Sequence, residues 1–224
     1  WVIEVEDVAA AILPRKLGPA PRVESVARVQ RAGAVLSRYD HLIHWHASSH
    51  GLDWRLVAAL IQEESGFRPE AVSPKGAVGL MQVRAIAAED VGETDFTAPS
   101  DNIRTGVRYL KRLDALFASA GGGRDRLALV LAAYNMGPAH VRDAQMLARH
   151  YGYDPHRWDN SMARILPLLE DPRFHARLPS GYAQGSRTAT YVERILNRYE
   201  RFRVEAGEVP GLAGPVDHAA SARG

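Results

Sequence analysis

Glu64 stands at the end of an amphipathic stretch. Ser65-Gly66-Phe67 follows it, and then the Gly-rich segment Gly76-Ala77-Val78-Gly79-Leu80-Met81-Gln82. On a helical wheel at about 100° per residue, Trp54, Leu56, Val57, Leu60 and Ile61 define one apolar face; Glu64 falls near its middle and Glu63 at its edge. A carboxyl group turned toward apolar surroundings resists ionisation, so its pKa rises. A carboxylic acid that keeps its proton near neutral pH is what general acid catalysis requires. The plainer account is an ion pair with Arg68, one turn on, since charged side chains are rarely buried unless paired. The helix alone leaves both accounts open.

Two other groupings invite chemistry. His41, His44, His46 and His50 form a dense run, and the four-residue spacing of His46 and His50 could clamp a metal on a helix. No carboxylate-rich motif accompanies them and Trp45 lies among them, so a solvated helix face is the simpler reading and no metal site or cofactor is assigned. Arg104, Arg108 and Arg112 recur every four residues, which reads as a solvated basic stripe, with contact to substrate carboxylates as the alternative. The chain has no cysteine, which excludes disulfides, thiol nucleophiles and Cys-based zinc sites.

The elements that must position Glu64 are helical. At 224 residues and 46% hydrophobic composition the chain can bury a full core. Residues 1–22 read as an N-terminal extension and linker broken by Pro14, Gly18, Pro19 and Pro21, 23–206 as one catalytic domain, and 207–224 as a disordered tail. Helices are expected from about Val23 to His46, from Trp54 behind an Asp53 N-cap, over Leu80–Val91, from Pro99 to the Gly121-Gly122-Gly123 run, over Arg126–Met136, Val141–His150 and Thr188–Phe202, with a broken helical stretch over Ser161–Leu169. Arg126–Met136 is apolar nearly all round and should be the central buried helix. Arg68–Val83 reads as an irregular loop or small hairpin beside the acid. The net charge of +2, without a basic run, argues against a nucleic acid partner. No apolar stretch reaches the ~20 residues that span a bilayer, so membrane attachment is not legible in the chain, and a monomer is expected.

Three further segments accompany Glu64: Asn102-Ile103-Arg104-Thr105-Gly106-Val107-Arg108-Tyr109-Leu110, Leu131-Ala132-Ala133-Tyr134-Asn135-Met136-Gly137-Pro138, and Gly181-Tyr182-Ala183-Gln184-Gly185 with Tyr191-Val192. In this order they resemble the catalytic domain of bacterial lytic murein transglycosylases of the soluble-lytic-transglycosylase type, glycoside hydrolase family 23. Val141-Arg142-Asp143-Ala144, Pro155, Trp158 and Leu166-Pro167-Leu168-Leu169 resemble the membrane-bound F type within that family. The resemblance covers roughly Tyr39 to Phe202. It implies an all-α, goose-type lysozyme-like fold and non-hydrolytic cleavage of the MurNAc-β-1,4-GlcNAc bond of peptidoglycan to 1,6-anhydro-MurNAc products. Glu64 would act as acid and then base, helped by the substrate's acetamido group. It further implies action on glycan strands in the periplasm or at the outer membrane of a Gram-negative bacterium.

The residues expected to meet substrate are Ser65, Gly79, Leu80, Met81, Gln82, Tyr134, Asn135, Tyr182 and Tyr191. Gly76 and Gly79 would let backbone approach the sugars, and Gln82 would offer its amide. Leu80 and Met81 would form apolar cleft wall, Tyr134 would reach the acetamido group or developing cation, and Tyr182 and Tyr191 would stack on sugars. Plainer readings stand beside these: core positions for Leu80, Met81 and Tyr191, a helix-end hydrogen bond for Gln82, a C-cap for Asn135. The chain also departs from the family. Val83-Arg84-Ala85-Ile86-Ala87 stands where a Pro and a Thr-Ala pair are frequent, and Arg187 stands where many relatives place a Glu. Two rival functions remain. A goose-type lysozyme hydrolase would need a second carboxylate, for which Glu89, Asp90, Asp95 and Asp101 are the acids considered. A non-catalytic wall-binding module would not need Glu64 at all.

Overall fold

The computed structural model describes residues 36–205; the expected extension at 1–22 and tail at 207–224 lie outside the described residues. Seven main helices carry the fold: α1 (Asp40–Ser49), α2 (Trp54–Glu64), α3 (Ala85–Asp90), α4 (Pro99–Leu116), α5 (Gly123–Met136), α6 (Pro138–His150) and α7 (Gly185–Glu205). Short helical turns fill Trp158–Glu170 and Pro172–His175 between α6 and α7. Among the described residues, β-structure is limited to isolated bridges, Val72 with Val78 and Val78 with Val83, so the expected hairpin is an irregular double turn. No helix among them is long and apolar enough to cross a membrane.

The core forms around α5. Ala128 through Ala133 are all buried, so no face of this segment is left for solvent, and α4, α6 and α7 pack around it. Fully burying an aliphatic side chain such as Leu129 or Leu131 contributes about 1.5–3 kcal/mol. α2 lies between α1 and α7 and turns Leu56 through Ile61 inward. Its start is fixed as the sequence suggests: the Asp53 carboxylate accepts from the Arg55 amide at 2.9 Å and from the Tyr199 hydroxyl at 2.9 Å. That second bond fastens the start of α2 to α7.

Two boundaries differ from expectation. The part of the expected first helix before residue 36 lies outside the described residues; within them a helix begins at Asp40, whose carboxylate accepts from the amides of Leu36 and Ser37. The expected helix Leu80–Val91 is confined to Ala85–Asp90, because Gly79 and Gln82 adopt positive φ (78° and 47°) and force turns there. The glycine run 121–123 does not simply end α4: Gly123 opens α5.

Candidate active site

Glu64 ends α2, and the apolar face of that helix carries its carboxyl inward. The ion pair with Arg68, the plainer of the two accounts, does not form; the Arg68 guanidinium donates to the Ser65 carbonyl instead. The partner of Glu64 is Tyr191 of α7, whose hydroxyl donates to Oε1 at 2.5 Å. Burial pushes the Glu64 carboxyl up to about 7; the Tyr191 hydrogen bond opposes the shift, and the neighbouring Glu63 charge adds to it. Burial also pushes the hydroxyls of Tyr191 and Tyr134 well above the usual phenol range, with the nearby Glu64 charge acting in the same direction. Both hydroxyls therefore remain donors at any pH at which Glu64 titrates.

The Gly-rich segment is built as a rigid floor. The fully buried side chain of Asn102 accepts from the Met81 amide at 2.8 Å and donates to the carbonyls of Val78 at 2.9 Å and Phe96 at 2.7 Å. Only glycine fits at position 79, where a Cβ would stand 2.4 Å from the Asn102 amide nitrogen and where φ is 78°. Gly106 makes a matching gap in α4, since a Cβ there would overlap the Met81 sulfur at 2.5 Å. Ser65, 2% exposed, donates to the Leu80 carbonyl at 2.8 Å and joins the end of α2 to this floor. The Tyr134 hydroxyl donates to the Met81 carbonyl at 2.8 Å and joins the end of α5 to it.

Three chambers form one groove over this floor. Two of them, of about 540 and 500 Å³, both contain Glu64, Ser73, Gln82, Asn135 and Arg187. The third, of about 660 Å³, is joined to them through Gln82 and Asn135 and lies among Ile86, Glu89, Asp90 and Tyr109. The one other carboxylate lining a Glu64 chamber, among the described residues, is Glu63, which Arg194 and Arg198 hold at 3.3 and 3.0 Å. Of the acids considered as a second catalytic group, Glu89 and Asp90 line the third chamber and neither of the two that hold Glu64, and Arg112 holds Asp90. Asp95 caps Thr97, and Asp101 pairs with Arg104 at 2.6 Å.

The profile of the transglycosylase SLT domain matches residues 41–156, more than half of the chain. The chain belongs to this family. The chain is 43% identical over 171 residues to membrane-bound lytic murein transglycosylase F of Desulfosudis oleivorans, an alignment that covers 76% of this chain and 37% of that protein. It is 36% identical over 199 residues to the protein of the same name from Vibrio parahaemolyticus, covering 87% of this chain and 38% of the relative. The chain thus spans less than two fifths of these relatives. In fold it is similar to the 70 kDa soluble lytic transglycosylase of Escherichia coli, with a TM-score of 0.55 at 23% identity over 76% of this chain and 25% of that one. It is equally similar to an inactive mutant of lytic transglycosylase Slt from Pseudomonas aeruginosa, with a TM-score of 0.54 at 22% identity over 77% of this chain and 25% of that one. The mainly helical, lysozyme-like fold is therefore the family's own.

The fold brings Glu64, Gln82, Tyr134, Asn135 and Tyr182 together at the groove. It corrects several finer expectations. Leu80 and Met81 are fully buried and belong to the core, so their side chains form no cleft wall. Ser65 and Gly79 are buried too, and what approaches Gly79 is Asn102, not sugar. Tyr191, 7% exposed, has no free ring face for stacking; its hydroxyl serves Glu64. Tyr134 spends its hydroxyl on the Met81 carbonyl. Gln82 donates its amide nitrogen to the carbonyls of Ala71 and Gly79, which leaves the amide oxygen for the groove. Asn135 accepts from Thr188 Oγ1 at 2.8 Å and is held by α7, not used as a cap. Tyr182, at 55% exposure, keeps an open ring face.

The sequence assigns no role to Ser73 or Glu93, and it shows Asn102 only as part of a family segment. Ser73 lines both Glu64 chambers, and no spacing rule singles out a serine in a loop. Glu93 gathers Arg104 and Arg108, and Asp90 pairs with Arg112, so the expected solvated stripe is an ion-pair cluster that clamps the 90–93 segment to α4. Among the histidines, His46 meets Ser100 Oγ at 2.9 Å, His50 meets the His46 carbonyl at 2.9 Å, and His44 stacks on Trp54.

Proposed function

We propose that this SLT domain cleaves the β-1,4 bond between N-acetylmuramic acid and N-acetylglucosamine in peptidoglycan without water, leaving a 1,6-anhydromuramoyl end. The reading is carried by the solitary carboxyl of Glu64, raised to about 7, in chambers whose other carboxylate is held by two arginines. A group titrating there donates a proton at neutral pH and, once ionised, is basic enough to take one back.

Glu64 first protonates the bridging glycosidic oxygen as the bond to the muramoyl C1 breaks. With no second free carboxylate in its chambers, the oxygen of the substrate's 2-acetamido group bonds to C1 and carries the positive charge, the substrate-assisted route. The Glu64 carboxylate, steadied by the Tyr191 hydroxyl, then accepts the proton of the muramoyl C6 hydroxyl. The C6 oxygen displaces the acetamido oxygen at C1, which closes the anhydro ring and returns Glu64 to its acid form. In this reading the Gln82 amide oxygen, Ser73, Asn135 and the open ring of Tyr182 contact the sugars, which is supported by their lining the same chamber as Glu64. The relatives' names also support a site of action in the periplasm or at the outer membrane of a Gram-negative bacterium.

The test is mass spectrometry of digested peptidoglycan together with Glu64→Gln. Anhydro ends are expected from the wild type, and a loss of about a thousandfold or more from the variant with the fold retained. Reducing ends that have gained water would instead support the hydrolase, and an active Glu64→Gln would remove Glu64 from the mechanism.

A further inference from the structure

The cations of the Glu64 chambers have no part in the chemistry above. Lys75, Arg84 and Arg187 line the 500 Å³ chamber, and Arg187 also lines its neighbour beside Arg194. All three are exposed, and no carboxylate among the described residues pairs with them. Arg194 and Arg198 share the single charge of Glu63, which leaves that trio one positive charge in excess. The third chamber differs: there Arg84 is accompanied by Glu89 and Asp90. Positive charge is therefore concentrated in the half of the groove that holds the acid. Arg187 is central to it, four residues before Tyr191 on the same face of α7 that presents Tyr191 to Glu64.

Uncompensated cations in a crevice attract anions, and a guanidinium matches the two oxygens of a carboxylate. We propose that Arg187, supported by Lys75 and Arg84, is a specificity-determining residue that reads a carboxylate carried on the lactyl branch of the muramoyl unit. The inference rests on the peptidoglycan reading of the Glu64 chambers. The carboxylate has two sources: the stem peptide, or the lactyl group itself once the stem has been removed. Neutral N-acetylglucosamine polymers offer neither.

The experiment measures KM and kcat for anhydro product formation by the full chain on three glycans: peptide-bearing strands, amidase-stripped strands, and strands whose carboxyls have been converted to amides. Arg187→Ala is expected to raise KM on acid-bearing strands about tenfold, the scale of one charge-assisted hydrogen bond, with kcat falling less than KM rises. Arg187→Glu raises KM further. Added salt raises the wild-type KM more steeply than that of Arg187→Ala. The amidated strands bring the wild-type KM to that of the variant. Arg149→Ala, on an exposed part of α6 outside the groove, leaves KM unchanged and controls for net charge. An effect that persists on amidase-stripped strands assigns the lactyl carboxylate; one confined to peptide-bearing strands assigns the stem. Unchanged KM in both Arg187 variants, with anhydro products still formed, overturns the inference and leaves the reaction standing. Absence of anhydro products from the wild type overturns both.

Discussion

Tyr191→Phe removes one oxygen, the one that donates to Glu64 Oε1 at 2.5 Å. The ring stays in a core position that phenylalanine fills equally well, and no buried hydroxyl is orphaned by the change. The hydrogen bond favours the ionised carboxylate and opposes the effect of burial, so its loss raises the Glu64 pKa above its value of about 7. A hydrogen bond to a charged group is worth about 1.5–3 kcal/mol, which corresponds to about one to two pKa units. The acid step then becomes less favourable, because a weaker acid must protonate the glycosidic oxygen, while the basic limb of the pH–rate profile moves to higher pH. Two assays read this independently: carbon NMR titration of the Glu64 carboxyl, and the pH dependence of kcat on peptidoglycan strands. A Glu64 pKa that stays put or falls in Tyr191→Phe would refute the assignment of Tyr191 as the group that steadies the carboxylate, whatever happened to the rate.

Two further outcomes concern stability. Asn102→Ala deletes three hydrogen bonds and takes their partner from the Met81 amide and the Phe96 carbonyl, while the Val78 carbonyl keeps the Val83 amide, so a loss of about 2–4 kcal/mol is expected. A urea midpoint within error of the wild type would show that the floor holds without it. The raised pKa of Glu64 means that the neutral acid is the form the fold favours. Its contribution is fully present below the unfolded value of 4.5 and is lost as pH rises through about 7, amounting to at most about 3 kcal/mol. Glu64→Gln has no charge to bury, so it should gain thermal stability over the wild type at about pH 8, and the gain should vanish near pH 4. An equal difference at both pH values would count against burial as the cause of the shift.

Glu64 was legible in the sequence because a single periodicity, that of α2, decides which way it points. The Asp53 cap and the apolar α5 were legible for the same local reason. What escaped is what depends on two elements meeting. Tyr191 reads as one more apolar position on the stripe of α7, and only the packing of α7 on α2 makes its hydroxyl the partner of an acid 127 residues earlier. Leu80 and Met81 read as part of a helix or a cleft because their environment is set by two gaps elsewhere, the one at Gly79 filled by Asn102 and the one in α4 at Gly106 filled by Met81 itself. The arginine stripe on α4 reads as solvated because Glu93, which gathers two of its members, lies in a loop without periodicity.

The Tyr191–Glu64 bond also bears on when the chain becomes competent. The acid is made 127 residues ahead of its partner, and most of the described domain must be in place before the two can touch. A nascent chain that has reached α5 already owns its carboxyl, its Gly-rich floor and Tyr134, yet has no wall of α7 against which to bury the acid. In that state Glu64 faces water and titrates as an ordinary glutamate. The raised acid therefore arises in one step, with the docking of α7, the last helix among the described residues.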